Sequence, residues 1–225
     1  MCSSDLAKLW SRDGQGVKTL DGNVSDSIYP PGGMGSVSFS PDSQVIITTS
    51  VDGQIKLWDR TGEEITTFRN ESGSAGEATF SPDGQMIAVT NGRGSIRLLD
   101  KTGKELLFLQ DAHQGNSFDV GFSPDGQVLM STGQDGTIKL WTLDGENIQV
   151  LRGHSGMIFS AGISPDGNTI VSASTDRSIK IWERRNLDLK TIRLDGDSPV
   201  GIEFSLDGEQ LFLRTLSEDN RIIRI

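Results

Sequence analysis

The chain has 225 residues, a formal net charge of −10, 27 glycines, 7 prolines and 1 cysteine. That length allows one or two domains with a core stable without staples, and Cys2 alone cannot form an internal disulfide, which points to a reducing, cytoplasmic setting. The acidic balance disfavours nucleic acid, since the one short basic cluster, ERR at 183–185, reads as a solvated loop; no apolar run is long enough for a membrane helix, and MCSSDLAKLWSRDG lacks the order of a secretory signal.

In chain order, the first readable strands are LAKLW at 6–10 and VKTL at 17–20. The phrase FSPD then appears at 39–42, 80–83 and 122–125, followed by ISPD at 163–166 and FSLD at 204–207, in steps of 41, 42, 41 and 41. Each copy opens on an alternating strand, such as GSVSFS, with Val37 and Phe39 on one face and serines on the other. VIITT follows, continuously apolar and β-branched, as suits a strand buried on both faces. IKLW alternates again with Lys56 outward, and EITTF closes the unit. Ser-Pro-Asp-Gly is a tight turn: Pro presets the first dihedral, Asp suits the next corner and Gly takes the left-handed position. VDGQ at 51–54 and RTGE at 60–63 supply the other two turns. Four strands and three hairpins make a meander that cannot bury both its faces alone, so copies must stack.

In the first four copies, 19 positions separate the opening residue from Trp58, Leu99, Trp141 and Trp182; the fifth reads as carrying two extra residues, with Ile225 in the tryptophan's place. A period near 41, four strands per unit and the terminal IKLWD pattern resemble the WD40-repeat family of β-propellers, and the SPDGQ and KLWDRTGE phrasing looks most like its bacterial, especially cyanobacterial, branch. The resemblance implies an all-β propeller of about five four-stranded antiparallel blades, as a single domain over 1–225. It assigns a partial repeat to 1–34 and repeats to about 35–75, 76–117, 118–158, 159–199 and 200–225. The last copy supplies three strands, so VKTL at 17–20 is the candidate fourth, pairing with 221–225 to close the ring. LAKLW, however, duplicates RIIRI at 221–225, so the chain begins in mid-blade, as a part of a longer propeller would.

The resemblance also implies a buried network of His, Ser or Thr, Asp and Trp in each blade. His154, Ser172, Asp176 and Trp182 form the full set, and His113, Ser131, Asp135 and Trp141 a second, with AH in place of GH. Thr48, Asp52 and Trp58 remain in the first copy, where Pro30 replaces the histidine. The second copy has Glu71, Val89, Arg93 and Leu99, and the fifth has Asp195, Asp219 and Ile225, so packing must hold those blades.

His, Ser and Asp together raise a hydrolase reading, but they recur once per unit beside a buried Trp and G-x-S-x-G is absent. Two histidines make no metal set, no D-x-D-x-D-G loop occurs, and no phosphate loop is present, so neither cofactor nor metal is expected. The expected function is a non-catalytic protein–protein interaction scaffold with a protein or peptide partner. The alternatives are a glycan-binding or enzymatic propeller, or the repeat portion of a larger bacterial signalling protein. Loops between copies, at 23–35, 70–78, 111–118, 153–159 and 195–200, gather on one face, making Tyr29, Met34, Met157 and Phe159 the candidate contacts.

Overall fold

The computed structural model describes residues 7–20, 34–70, 73–184, 188–196, 198–215 and 221–224. Among them every regular element is a strand, arranged in six antiparallel sheets. A hairpin of β1 (Ala7–Trp10) and β2 (Gly16–Leu20) comes first. Blade 1 holds β3 (Met34–Phe39), β4 (Val45–Ser50), β5 (Gln54–Asp59) and β6 (Glu64–Arg69). Blade 2 holds β7 (Ala78–Phe80), β8 (Met86–Thr90), β9 (Ile96–Asp100) and β10 (Glu105–Leu109). Blade 3 holds β11 (Ser117–Phe122), β12 (Val128–Gly133), β13 (Thr137–Thr142) and β14 (Asn147–Arg152). Blade 4 holds β15 (Ile158–Ile163), β16 (Thr169–Ser174), β17 (Ser178–Glu183) and β18 (Leu189–Arg193). Blade 5 holds β19 (Pro199–Phe204), β20 (Gln210–Thr215) and β21 (Arg221–Arg224). Strands pair in chain order within each sheet.

The core lies between sheets. Ile47, Ile55 and Leu57 of blade 1 pack on Ala78, Phe80, Ile87 and Val89 of blade 2. The same contact recurs as Met130, Ile138 and Leu140 against Ile158, Ile170 and Trp182, and as Val171, Ile179 and Ile181 against Ile202, Leu211 and Leu213. Burying one such side chain contributes about 1.5–3 kcal/mol, so each junction outweighs any single turn. At the first junction the apolar cluster joins Ala7, Leu9 and Leu20 of the β1–β2 hairpin to Ile46 and Trp58, and Val37 and Phe39 are not in it. Val37 and Phe39 therefore stand 55% and 52% exposed, although their alternation marks them for burial and the equivalent Ala78 and Phe80 are covered. Lys56 differs in the other direction: its stem is buried and its ammonium reaches Glu64 Oε2 at 3.0 Å.

Two expectations are corrected. Residues 17–20 do not pair with 221–225; they belong to β2, in register with β1 from Ala7↔Leu20 to Trp10↔Gly16. A hairpin closed by the short turn after Trp10 costs far less loop entropy than a pairing across the whole chain. Ile223, not Ile225, takes the tryptophan's place: Leu211 faces Ile223 as Leu129 faces Trp141. The fifth copy thus keeps the spacing of 19 from Phe204; Ile225 and Asp219 lie outside the described residues, as do Tyr29, Pro30 and Glu71.

The repeated turn is a closed hydrogen-bond unit. Ser40 Oγ donates to Asp42 Oδ1 at 2.6 Å, Asp42 Oδ1 accepts from Gln44 N at 3.0 Å, and Ser40 Oγ accepts from Val45 N at 2.9 Å. The pattern repeats at Ser81, Ser123, Ser164 and Ser205. Proline also reaches the next blade: a β-carbon on Gly84 would lie 3.6 Å from Pro41 Cδ, and Pro82, Pro124 and Pro165 approach Gly126, Gly167 and Gly208 likewise. Those glycines sit at φ of 68° to 76°, the left-handed region. Blade 1 has Ser43 there at φ 58°. A side chain in that region costs about 1–2 kcal/mol, partly offset by the freedom glycine gains when unfolded. Ser43→Gly is therefore expected to raise unfolding stability by about 0.5–1 kcal/mol, read from denaturant midpoints. A loss of stability would show that the serine is not strained.

Candidate functional site

In blade 3, His113 is buried between two elements of its own sheet. Its Nδ1 lies 3.0 Å from Asp135 Oδ1 and its Nε2 lies 2.8 Å from Ser131 Oγ, which also accepts from Trp141 Nε1 at 2.9 Å. Asp135 further accepts from Thr137 Oγ1 at 2.7 Å and Gln114 N at 3.1 Å. Gly133 makes room for the ring, because a β-carbon there would sit 2.4 Å from His113 Cγ. Blade 4 repeats the set: His154 Nδ1 to Asp176 Oδ2 and Nε2 to Ser172 Oγ, both 2.8 Å, with Trp182 Nε1 donating to Ser172 Oγ at 2.9 Å. Burial would raise the Asp176 carboxyl, but hydrogen bonds from Ser178, His154 and the Ser155 amide hold it at about 2. Both imidazoles are pushed below their ordinary value by burial, so they sit neutral beside ionised carboxylates.

The remaining blades satisfy the same turn by other means. In blade 1 Trp58 Nε1 donates to Thr48 Oγ1 at 2.9 Å, and Gln54 Nε2 takes the free oxygen of Asp52 at 2.8 Å. In blade 2, where Arg93 stands at the aspartate's position, Asn91 Oδ1 accepts from Arg93 N at 2.9 Å and Ser95 N at 3.0 Å. Sequence reasoning missed Asn91; its signal is an Asx residue two positions before the lost aspartate. Asn91 Nδ2 and Ser95 Oγ are buried without partners among the described residues. In blade 5, Leu213 occupies the hydroxyl position and Asp195 is exposed, so this sheet rests on packing.

The first strands of successive blades lie side by side. Ser36, Glu77, Asp119, Ser160 and Gly201 occupy one position of successive repeats. Ser36 Oγ accepts from Ala78 N at 3.0 Å, Asp119 Oδ2 from Ala161 N at 2.9 Å, and Ser160 Oγ from Ile202 N at 3.3 Å. Each side chain thus caps a backbone N–H on the free inner edge of the next blade. Glu77, Asp119 and Glu203 line a cavity of about 870 Å³ with Phe159, Phe204 and Arg214. Burial, then the neighbouring Asp119 charge, pushes the Glu77 carboxyl up to about 8; burial raises Asp119 to about 6 against the Ala161 and Ser160 hydrogen bonds.

Of the candidate contacts, Met157 lies on the β14–β15 loop, half-exposed, pinned by its amide to Thr175 Oγ1 at 2.9 Å. Phe159 lies in β15 rather than the loop, with its ring centroid 4.8 Å from that of Phe118. Phe118 was not singled out in the sequence, although it holds the same repeat position one period earlier. Met34 opens β3, opposite Ser50, instead of ending the preceding loop.

His154→Ala strands the Asp176 carboxylate and Ser172 hydroxyl, and is expected to cost about 1–3 kcal/mol in denaturant melts. Equal stability of variant and parent would refute the network. For pH, Glu77 is raised, so its stabilising proton is held fully below its ordinary 4.5 and lost as pH rises through about 8. The histidines are depressed, so their contribution is complete above their ordinary 6.5 and lost only on acidification. Stability should therefore fall between about pH 6.5 and 8.5, and Glu77→Gln should flatten that slope. A parent whose melting is level over this window would contradict it.

The WD domain, G-beta repeat, family matches residues 14–59, 104–142 and 145–183. A second family, the anaphase-promoting complex subunit 4 WD40 domain, matches residues 37–120. No curated protein matches the chain. WD40 repeats generally mediate protein–protein interaction and are typically non-catalytic. Four four-stranded meanders stacked face to face, turns closed by Ser-Pro-Asp, and tryptophans tied to a second-strand hydroxyl agree with those matches: the chain belongs to the WD40-repeat family.

Proposed function

We propose that this protein is a non-catalytic scaffold that binds a protein or peptide through the loop face and the channel mouth. The observation that carries the reading is the burial of both histidine side chains, each spent on an aspartate and a serine of its own blade. A nucleophile–base pair needs an open approach and oxyanion donors beside it; Ser131 and Ser172 have neither, being fully buried and bonded to tryptophan. The loops, by contrast, sit on a frame held by short hairpins, which favours recognition over movement. Met157 offers an adaptable apolar contact, and the Phe118–Phe159 pair stands on neighbouring inner strands. A cytoplasmic setting belongs to the same reading and is supported by the single cysteine.

The test is an affinity pull-down with the intact chain, repeated with Tyr29→Ala and Met157→Ala, alongside hydrolase and glycan panels on the purified protein. A specific protein partner weakened by either variant is the expected result. A partner that binds both variants as tightly as the parent overturns the site assignment; turnover on the panels overturns the scaffold reading.

A further inference from the structure

The first strands of blades 3 and 4 each begin with a β-bulge. Ser117 and Asp119 have partners in the ladder and Phe118 between them has none; Phe159, between Ile158 and Ser160, repeats the arrangement. A bulge re-aims the residue that it leaves out of the ladder. Here both residues are phenylalanine, and their rings pack at 56° with centroids 4.8 Å apart. Blades 1 and 2 have glycine at this repeat position, Gly35 and Gly76. A β-carbon there would lie 2.5 Å from Thr49 Oγ1 and 2.6 Å from Thr90 Oγ1, so neither place has room for a side chain. The row of first strands therefore steps from bare backbone in blade 2 to an aromatic pair in blades 3 and 4.

Glu77 follows Gly76, on the bare side of that step, and lines the same cavity as Phe159 and Asp119. From its repeat position Ser36, Asp119 and Ser160 each cap an amide of the following blade. The Glu77 carboxyl makes no hydrogen bond and no ion pair among the described residues. An ionised carboxylate so placed is costly, and it holds its proton instead. Burial does this first, with the Asp119 charge; Arg214 opposes it and Glu203 adds to it, while Arg221 also lines the cavity. What Glu77 lacks is a cation with hydrogen-bond donors. Among the described residues no group of three His, Cys, Asp or Glu side chains could hold a metal ion, which leaves an organic cation. A ring beside a carboxylate suits a guanidinium, which stacks on the one and donates twice to the other. The formal net charge of −10 favours a basic partner as well. Gly76, Glu77, Phe118 and Phe159 all lie in blades 2, 3 and 4, which have a blade packed on either side.

We propose that the step between Gly76 and the Phe118–Phe159 pair receives an arginine side chain of a partner protein. The guanidinium lies against Phe159, which Phe118 braces from the neighbouring blade, and donates to the Glu77 carboxylate. The proton that Glu77 holds leaves to solvent as the arginine enters. Only the ionised carboxylate binds, so affinity rises with pH to about 8 and levels above it, while the arginine stays charged throughout. This site deepens the scaffold reading and rests on it.

The probe is a fluorescent peptide with one arginine among glycines and alanines, titrated against the intact chain by anisotropy beside its citrulline counterpart. The arginine peptide is expected to bind about ten-fold more tightly at about pH 8.5 than at about pH 6.5, and the uncharged citrulline peptide far more weakly. Glu77→Gln, its fold checked by melting, should weaken the arginine peptide about ten-fold at the higher pH and level its pH profile. Phe159→Ala should weaken it about three-fold. Glu209→Gln removes an exposed carboxylate from the β19–β20 turn and should change nothing, which separates this site from attraction to an acidic protein as a whole. No binding, equal binding of the citrulline peptide, or a parent affinity level with pH overturns the proposal, and the last needs no variant. A partner captured by pull-down that ignores Glu77→Gln overturns it too, while leaving the scaffold reading in place.

Discussion

The structure depends on one constraint: a four-stranded blade has two apolar faces, and only another blade can cover them. Ile47 and Leu57 look outward from blade 1, Ala78 and Phe80 look back from blade 2, and neither pair is buried without the other. The exposed Phe212 and Ile222 show what the same positions look like with no neighbour laid over them. Sheet hydrogen bonds shape each blade, but the non-polar junctions decide whether it stays folded.

Polar groups then have to be accommodated at junctions that packing has already fixed. The His–Asp–Ser–Trp sets of blades 3 and 4 satisfy turn amides, an indole and a hydroxyl that burial would otherwise leave unpaired. Blade 2 satisfies its turn through Asn91 and leaves two buried polar atoms without partners among the described residues, as blade 3 does at Ser117 and Thr132, yet Ile87, Ala88 and Val89 are as buried as residues in any other blade. The network therefore refines a blade more than it creates one. The inner edges follow the same logic, with Ser36, Asp119 and Ser160 each capping an amide of the next blade. Where that position carries Glu77, a carboxylate is held close to Asp119 and keeps its proton to higher pH.

What was legible in the sequence is what local chemistry dictates. The Ser-Pro-Asp turns, the strand alternation and the hydroxyl–tryptophan pairs each lie within one repeat, at fixed offsets. What was not legible depends on neighbours. Val37 and Phe39 alternate as buried residues do, yet they stand exposed outside the cluster that the β1–β2 hairpin forms with Ile46 and Trp58. Lys56 reads as an outward lysine because nothing in IKLW reveals Glu64 beside it. The cross-blade caps join residues 42 apart, a spacing that a reading confined to one repeat cannot see. Residues 17–20 have the composition of an outer strand, but composition does not choose between an adjacent partner and a distant one.

The central claim is that sandwiching between neighbours, rather than the histidine network, sets the stability of each blade. Native-state hydrogen exchange resolved strand by strand tests it most directly. The account predicts that β8 and β9, in the sandwiched blade without a histidine, exchange as slowly as β12, β13, β16 and β17, while β1 and β20 exchange earlier. If β8 and β9 instead exchanged far ahead of β12 and β16, with β20 no faster than they are, stability would track the network and the account would be contradicted.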